Sequence, residues 1–157
     1  MSYVDRVIQP GEEVVYRAPL HWVLYLPGLI LAIIAVVVLA YGLTVDVQTQ
    51  ALLRETAFGV AVLSFLAALL LLAQAFVRRW TTEVAVTSKR VIYKTGLVRR
   101  ITSELNVEKI ETVIVEQGVW GRLLNFGTVI IRGTGGGMEP VPNIDDPLTF
   151  RSKLTAR

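Results

Sequence analysis

From Thr56 to Val77 the chain has no charged side chain, and only Thr56, Ser64 and Gln74 are polar. As a helix rising about 1.5 Å per residue, this run reaches about 33 Å, enough to cross a hydrocarbon core of about 30 Å. An earlier run, Leu20 to Val45, has His21 and the tyrosines as its only ionisable groups. Neither run has a polar face, which argues against a helix pair buried in a globular core. The pattern predicts a transmembrane hairpin over 20–77, with spans at about 22–43 and 56–77. The polar link Asp46–Glu55 is short enough to require antiparallel spans. His21, Trp22 and Tyr25 at one edge and Tyr41 near the other fit interfacial anchoring, and Pro27-Gly28 sits where a proline costs fewest hydrogen bonds.

After Arg78-Arg79-Trp80 the period changes from helical to alternating. Thr81 to Val86 alternates, breaks at Thr87-Ser88-Lys89 and resumes over Arg90 to Lys94. Thr95-Gly96 turns the chain into Leu97–Ile101, and Thr102–Val107, Glu111–Gln117 and Thr128–Arg132 are further β-rich runs. Gly118 to Gly127 is expected to be a long connection with Leu123-Leu124 tucked inward. Gly133 to Gly137 is expected to be a flexible turn, and Met138 to Val141 a short last strand. Asp145-Asp146-Pro147 has the acid-then-proline form of a helix start, with Leu148, Phe150 or Arg151, and Leu154 at helical spacing beyond it. Residues 1–19 form a polar N-terminal segment. Its Glu13–Arg17 can make one strand, and Val14 to Tyr16 can complete the later sheet. No apolar stretch lies before Leu20, so no signal peptide is expected. The expected fold class is an α+β membrane protein: a helical hairpin, then an antiparallel β-domain of residues 78–157 closed by a C-terminal helix.

Charge sets the orientation. Up to Val77 the chain holds 3 Lys/Arg against 5 Asp/Glu, a net −2, whereas from Arg78 to Arg157 it holds 13 against 8, a net +5. Arg6 and Arg17 precede the first span, Arg54 alone lies in the link, and seven cations fall between Arg78 and Arg100. The positive-inside bias puts both termini in the cytoplasm and the protein in the cell (inner) membrane as a multi-pass protein. A basic domain next to a membrane segment points to anionic lipid headgroups rather than nucleic acid. There are no cysteines, which excludes disulfides, thiolate metal sites and a cysteine nucleophile.

Trp80-x-x-Glu-Val-x-Val-Thr-Ser-Lys-Arg-Val-Ile-Tyr-Lys-x-Gly-Leu-Val-Arg-Arg resembles the opening of the bacterial pleckstrin-homology (PH) domain found on small two-span membrane proteins. Later pieces match in order: Leu105-x-Val-Glu-Lys-Ile, Gly118-x-x-Gly-Arg-Leu-Leu-Asn-Phe-Gly-Thr-Val and Ile144-x-Asp-Pro. Gly11-Glu12-Glu13 before the first span is also like the family. The resemblance implies a PH-like sandwich or partly open barrel capped by a C-terminal helix, with no catalytic residues to carry over. Eukaryotic PH domains hold phosphoinositides with basic residues around the first strand turn, and Lys89 and Arg90 stand at a comparable place.

Other chemistry is weaker. Gly133-x-Gly-Gly-Gly is not followed by the Gly-Lys-Ser/Thr and helix of a phosphate-cradling loop. Glu104, Glu108, Glu111 and Glu116 fall among strand positions with no neighbouring histidine in sequence, and Ser88 and Ser103 lack a His partner. No cofactor, metal or enzymatic activity is expected. The candidate lipid- or partner-binding residues are Arg78, Arg79, Lys89, Arg90, Lys94, Arg99 and Arg100. Lipid contact is expected at Arg78, Arg79, Lys94, Arg99 and Arg100, with Lys89 and Arg90 projecting away to meet a protein. The expected function is a membrane-anchored binding or scaffold module engaging anionic lipid, a protein partner or a second copy of itself. The alternative is a subunit of a transport or channel assembly, which intramembrane charge would favour and neither span contains.

Overall fold

The computed structural model describes residues 3–97 and 100–156. In order come α1 (Tyr3–Val7), β1 (Val14–Ala18), a 3-10 turn over Trp22–Tyr25, α2 (Leu26–Thr44) and α3 (Val47–Thr81). Then follow β2 (Glu83–Thr87), β3 (Arg90–Thr95), β4 (Ile101–Asn106), β5 (Ile110–Glu116), α4 (Val119–Leu124), β6 (Phe126–Gly133), β7 (Gly136–Gly137), β8 (Val141–Asp145) and α5 (Pro147–Thr155). The chain divides into two compact units, one of residues 22–77 and one of residues 1–21 with 78–157.

In the helical unit, Trp22–Thr44 and Gln50–Thr81 are each long and apolar enough to cross a membrane, with mean hydropathy 2.9 and 2.5 over their most apolar windows. Only 11% and 17% of those windows are buried within the chain, whereas a globular core helix is mostly covered. The two helices meet through small residues. Gly28, Ala35 and Gly42 are the buried positions of α2, evenly spaced along it, and Ala57, Ala61, Ala68 and Ala75 are buried on α3. A Cβ on Gly42 would lie 3.1 Å from that of Ala57, and one on Gly28 would lie 2.7 Å from Cγ of Leu72. The early part of α2 therefore faces the late part of α3, so the helices are antiparallel. Small side chains let the backbones approach closely, as in membrane helix pairs. The polar link differs from the expectation: residues 47–55 are already helical, and the backbone leaves helical geometry only at Gln50 (φ −139°, ψ 43°). Asp46 caps this turn, its carboxylate accepting the amide of Gln48 at 3.0 Å. The Arg54 guanidinium lies 5.5 Å over the Phe58 ring.

The other unit holds two antiparallel four-stranded sheets, ordered β1-β2-β3-β4 and β5-β6-β7 with β8 also on β6. Strand periodicity sorts its side chains. Val84, Val86, Val91 and Tyr93 turn into a core shared with Val129, Ile131, Val141 and Ile144 of the second sheet. Phe150 and Leu154 of α5 complete that core, and Phe150 meets the Tyr16 ring edge-on at 6.3 Å. Burial raises the Tyr16 hydroxyl above its ordinary pKa, with Asp146 and Asp145 adding to it. The alternate residues Ala85 and Ile92 face the other way, onto Val4 of α1. Phe150 and Leu154 thus sit inward as their helical spacing suggested, whereas Leu148, expected with them, is 54% exposed. The N-terminal segment does more than the expected strand: β1 forms the edge of the first sheet and α1 covers that sheet's back.

Two expectations about termini of elements need correction. Met138 is not in the last strand but is buried in the core, its amide donating to Ile131 O at 2.9 Å; the strand itself is Val141–Asp145. His21 is not an interfacial anchor. It is 5% exposed, stacks on Phe126 at 5.2 Å and donates its amide to Asn143 O at 2.7 Å. The neighbouring Leu20 bridges Ile144 across the two sheets' ends, so the β-domain extends right up to Trp22.

Candidate interaction surfaces

Strand register fixes which turns share an end of the β-domain. Glu83 pairs Lys94 and Thr95 pairs Ile101, whereas Arg90 pairs Asn106 at the other end. In the second sheet Glu116 pairs Thr128 and Phe126 pairs Asp145, close to Leu20 and His21. One end therefore carries residues 18–21, 81–83, 95–97, 100–101, 116–126 and 145–147. The opposite end carries Ser88–Arg90, Val107–Lys109 and Gly133–Gly136. The six described candidate cations do not form one patch: Lys89 and Arg90 lie at the end opposite Lys94 and Arg100.

Arg90 does not project outward. Its Nε and Nη2 donate to Glu12 at 3.0 Å each, Nη1 donates to Glu104 at 2.7 Å, and Nη2 also reaches Val7 O at 2.8 Å. Its side chain is 13% exposed and that of Glu12 fully covered. Burial alone would raise the Glu12 pKa. Hydrogen bonds from Thr87 (2.5 Å), Arg90 and the Gln9 amide outweigh it and hold the carboxyl at about 2. The Glu12 bond in turn raises the Arg90 pKa further. Beside this pair, Glu13 N donates to Ser88 Oγ at 3.1 Å and Ser88 N donates to Glu13 O at 2.8 Å. The Gly11-Glu12-Glu13 and Thr87-Ser88-Lys89-Arg90 motifs are thus the two halves of one clasp. Gly11 turns into it at φ 75°.

Lys94 is likewise committed inside the domain. Its Nζ lies 3.7 Å from Glu83 and 5.4 Å over the Tyr3 ring. Glu83 also accepts the amides of Tyr3 and Val4 at 3.0 and 3.2 Å, capping α1 from a distant strand. Arg78, Arg79, Lys89 and Arg100 are exposed, and Arg99 lies outside the described residues. Arg100 lines an open cleft with Trp80, Glu83, Lys94 and Leu97. Lys89 lines another with Gln9, Ser88, Asn106 and Glu108 at the opposite end.

Sequence reasoning missed the surface around α4. Gly121, not Leu123, turns into the body, since a Cβ there would lie 2.6 Å from Phe126 O. The opposite side of this short helix leaves Val119, Trp120 and Leu123 exposed, so the inward placement of Leu123 is corrected. The available signal was Trp120 itself, a large ring between two glycines. Among the described residues no three His, Cys, Asp or Glu side chains gather as a metal site.

Two antiparallel sheets around a shared core, closed by a C-terminal helix capped at Asp146, define a PH-like domain. The family model described as Bacterial PH domain matches residues 18–157, and the chain belongs to that family. Searches of curated proteins and of solved structures found no match.

Proposed function

We propose that the protein is a membrane-anchored binding or scaffold module. Its PH-like domain is held at the cytoplasmic face of the inner membrane, and engages anionic lipid, a protein partner or both. The observation that carries this reading is the helical unit's surface. Ile33, Val36, Leu63 and Leu70 are each more than 60% exposed on helices of spanning length. Water opposes such surface at roughly 25 cal/mol per Å² and hydrocarbon does not. Membership of the PH family supports binding over catalysis. The Arg78-Arg79 pair after the second span supports a cytoplasmic domain.

Reporter fusions test the orientation. A reporter active only in the cytoplasm works after Arg157 and fails when inserted at Gln48. Activity at Gln48 and silence after Arg157 overturns the proposed topology.

A further inference from the structure

We infer that α4 is a wedge seated in the membrane interface, with Val119, Trp120 and Leu123 among the lipid headgroups and upper acyl chains and Arg122 and Arg151 on lipid phosphates. The inference rests on the membrane reading above and names the surface through which the domain engages lipid.

Val119, Trp120 and Leu123 are 82%, 69% and 72% exposed within one short helix. Single exposed apolar side chains are ordinary, but a contiguous cluster marks a contact surface. Leu148 extends it at 54% exposed, lining one open cleft with Gly118, Arg122 and Arg151. Glu116 is a carboxylate on that cleft. An indole flanked by aliphatic side chains and guanidinium groups suits the bilayer interface, where apolar groups bury and cations reach phosphate.

The helix is rigidly mounted. Gln117 Nε2 donates to Gly121 O at 3.2 Å and to Phe126 O at 3.1 Å. Asn125 closes the helix in the left-handed region at φ 58°, and its carbonyl accepts the Asp146 amide at 3.0 Å. Apolar side chains held out in this way lose little backbone freedom on insertion.

Position favours lipid over a protein partner. Phe126, two residues beyond α4, stacks on His21, and the chain passes from His21 directly into the first apolar helix. The second apolar helix ends at Thr81, beside Glu83 at the same end of the first sheet. Trp80, Leu97, Val119, Trp120, Leu123 and Leu148 are all at this end. Among the described residues of the domain, the only other exposed large apolar side chain is Val15, on β1. The turns at the opposite end have none among the described residues. The apolar patch thus gathers at the end of the domain where the chain runs on into both apolar helices, the placement that contact with lipid requires.

The chain has no cysteine, so single labels can be placed in the full-length protein. An environment-sensitive fluorophore at Leu123→Cys is compared with one at Leu66→Cys in α3 and one at Glu108→Cys in the opposite turn. The protein is reconstituted in phosphatidylcholine–phosphatidylglycerol vesicles containing lipids with a nitroxide on the upper acyl chain. The Leu66 and Leu123 labels are expected to be quenched several-fold more than the Glu108 label. Arg122→Gln with Arg151→Gln should lower quenching at Leu123 and leave Leu66 unchanged. If Leu66 is quenched but Leu123 matches Glu108, the wedge is overturned and the membrane reading stands. If none is quenched, both fall. A Leu123 label shielded in native membranes but not in pure lipid vesicles overturns the lipid assignment in favour of a protein partner.

Discussion

Glu12 and Arg90, 78 positions apart, are joined by two hydrogen bonds of 3.0 Å between a fully covered carboxylate and a nearly covered guanidinium. The pair closes the N-terminal segment onto the β2–β3 turn. Removing one partner leaves the other charge buried and uncompensated, which typically costs about 3–5 kcal/mol. Arg90→Met is expected to destabilise the protein by that order, and Lys89→Met to leave it within about 0.5 kcal/mol, because Lys89 is exposed. Denaturation of the two variants in detergent, followed by tryptophan fluorescence, checks the contrast. Equal stabilities would show that the clasp contributes nothing net.

The same pair predicts an acid transition. The Glu12 carboxyl titrates at about 2 in the folded protein against its ordinary 4.5. Its stabilisation is therefore complete above about 4.5 and is lost as the pH falls from there towards about 2. A Glu12→Gln variant, less stable at neutral pH, should lose less further stability over this window than the parent. Parallel pH–stability curves would rule out Glu12 as the group responsible.

A fragment of residues 78–157 should fold poorly by itself. It lacks β1, leaving β2 as an open edge, and it lacks Val4, leaving Ala85 and Ile92 uncovered. Joining residues 1–21 to residue 78 through a long Gly/Ser linker should restore cooperative unfolding. Equally sharp melting of the two fragments, read by circular dichroism, would count against an integral role for the N-terminal segment.

Period carried most of the fold. Charge-free runs marked the two apolar helices, and alternation marked β2 through β6, because each such face has one environment along its whole length. What stayed hidden depends on contacts distant in sequence. Arg90 stands in a basic run and looks like a surface cation until Glu12 folds over it. His21 opens an apolar run and looks like its first residue until Phe126 stacks on it. The short helix Tyr3–Val7 has too few residues for a periodic signal, and Glu83, from another strand, supplies its cap. The sequence read Arg78 and Arg79 as membrane-flanking cations from their position alone, but it could not show that Lys94 is turned inward.

The helix pair offers a geometric test. A Cβ on Gly42 would lie 3.1 Å from the Ala57 Cβ, and disulfides need Cβ atoms about 3.5–4.5 Å apart, within a small adjustment. In the cysteine-free chain, Gly42→Cys with Ala57→Cys should oxidise to an intramolecular bond, seen as a mobility shift reversed by reductant. Gly59→Cys with Gly42→Cys should not, because Gly59 faces open space. Cross-linking of the second pair as readily as the first would contradict the face of α3 that meets Gly42.

The two glycines of the Gly118-x-x-Gly motif should behave in opposite ways. Gly118 has φ −70° and nothing within 4 Å of an added Cβ, so alanine fits there without strain. Gly121 is buried, and an added Cβ would lie 2.6 Å from the Phe126 carbonyl oxygen, a backbone atom at the start of β6. Relief would require α4 to lift from the domain, stretching the Gln117 bonds to Gly121 and Phe126. Overpacking of this kind costs about 1–3 kcal/mol. Gly121→Ala should therefore lower the midpoint of thermal unfolding by several degrees, whereas Gly118→Ala should leave it unchanged or slightly raised. The wedge adds a second readout. In vesicles, Gly121→Ala should also reduce lipid quenching of a label at Leu123, because the exposed face of α4 is aimed by the contact at Gly121. If Gly121→Ala unfolds at the parent temperature with unchanged quenching, then close approach at Gly121 neither holds α4 in place nor sets the direction of Trp120 and Leu123.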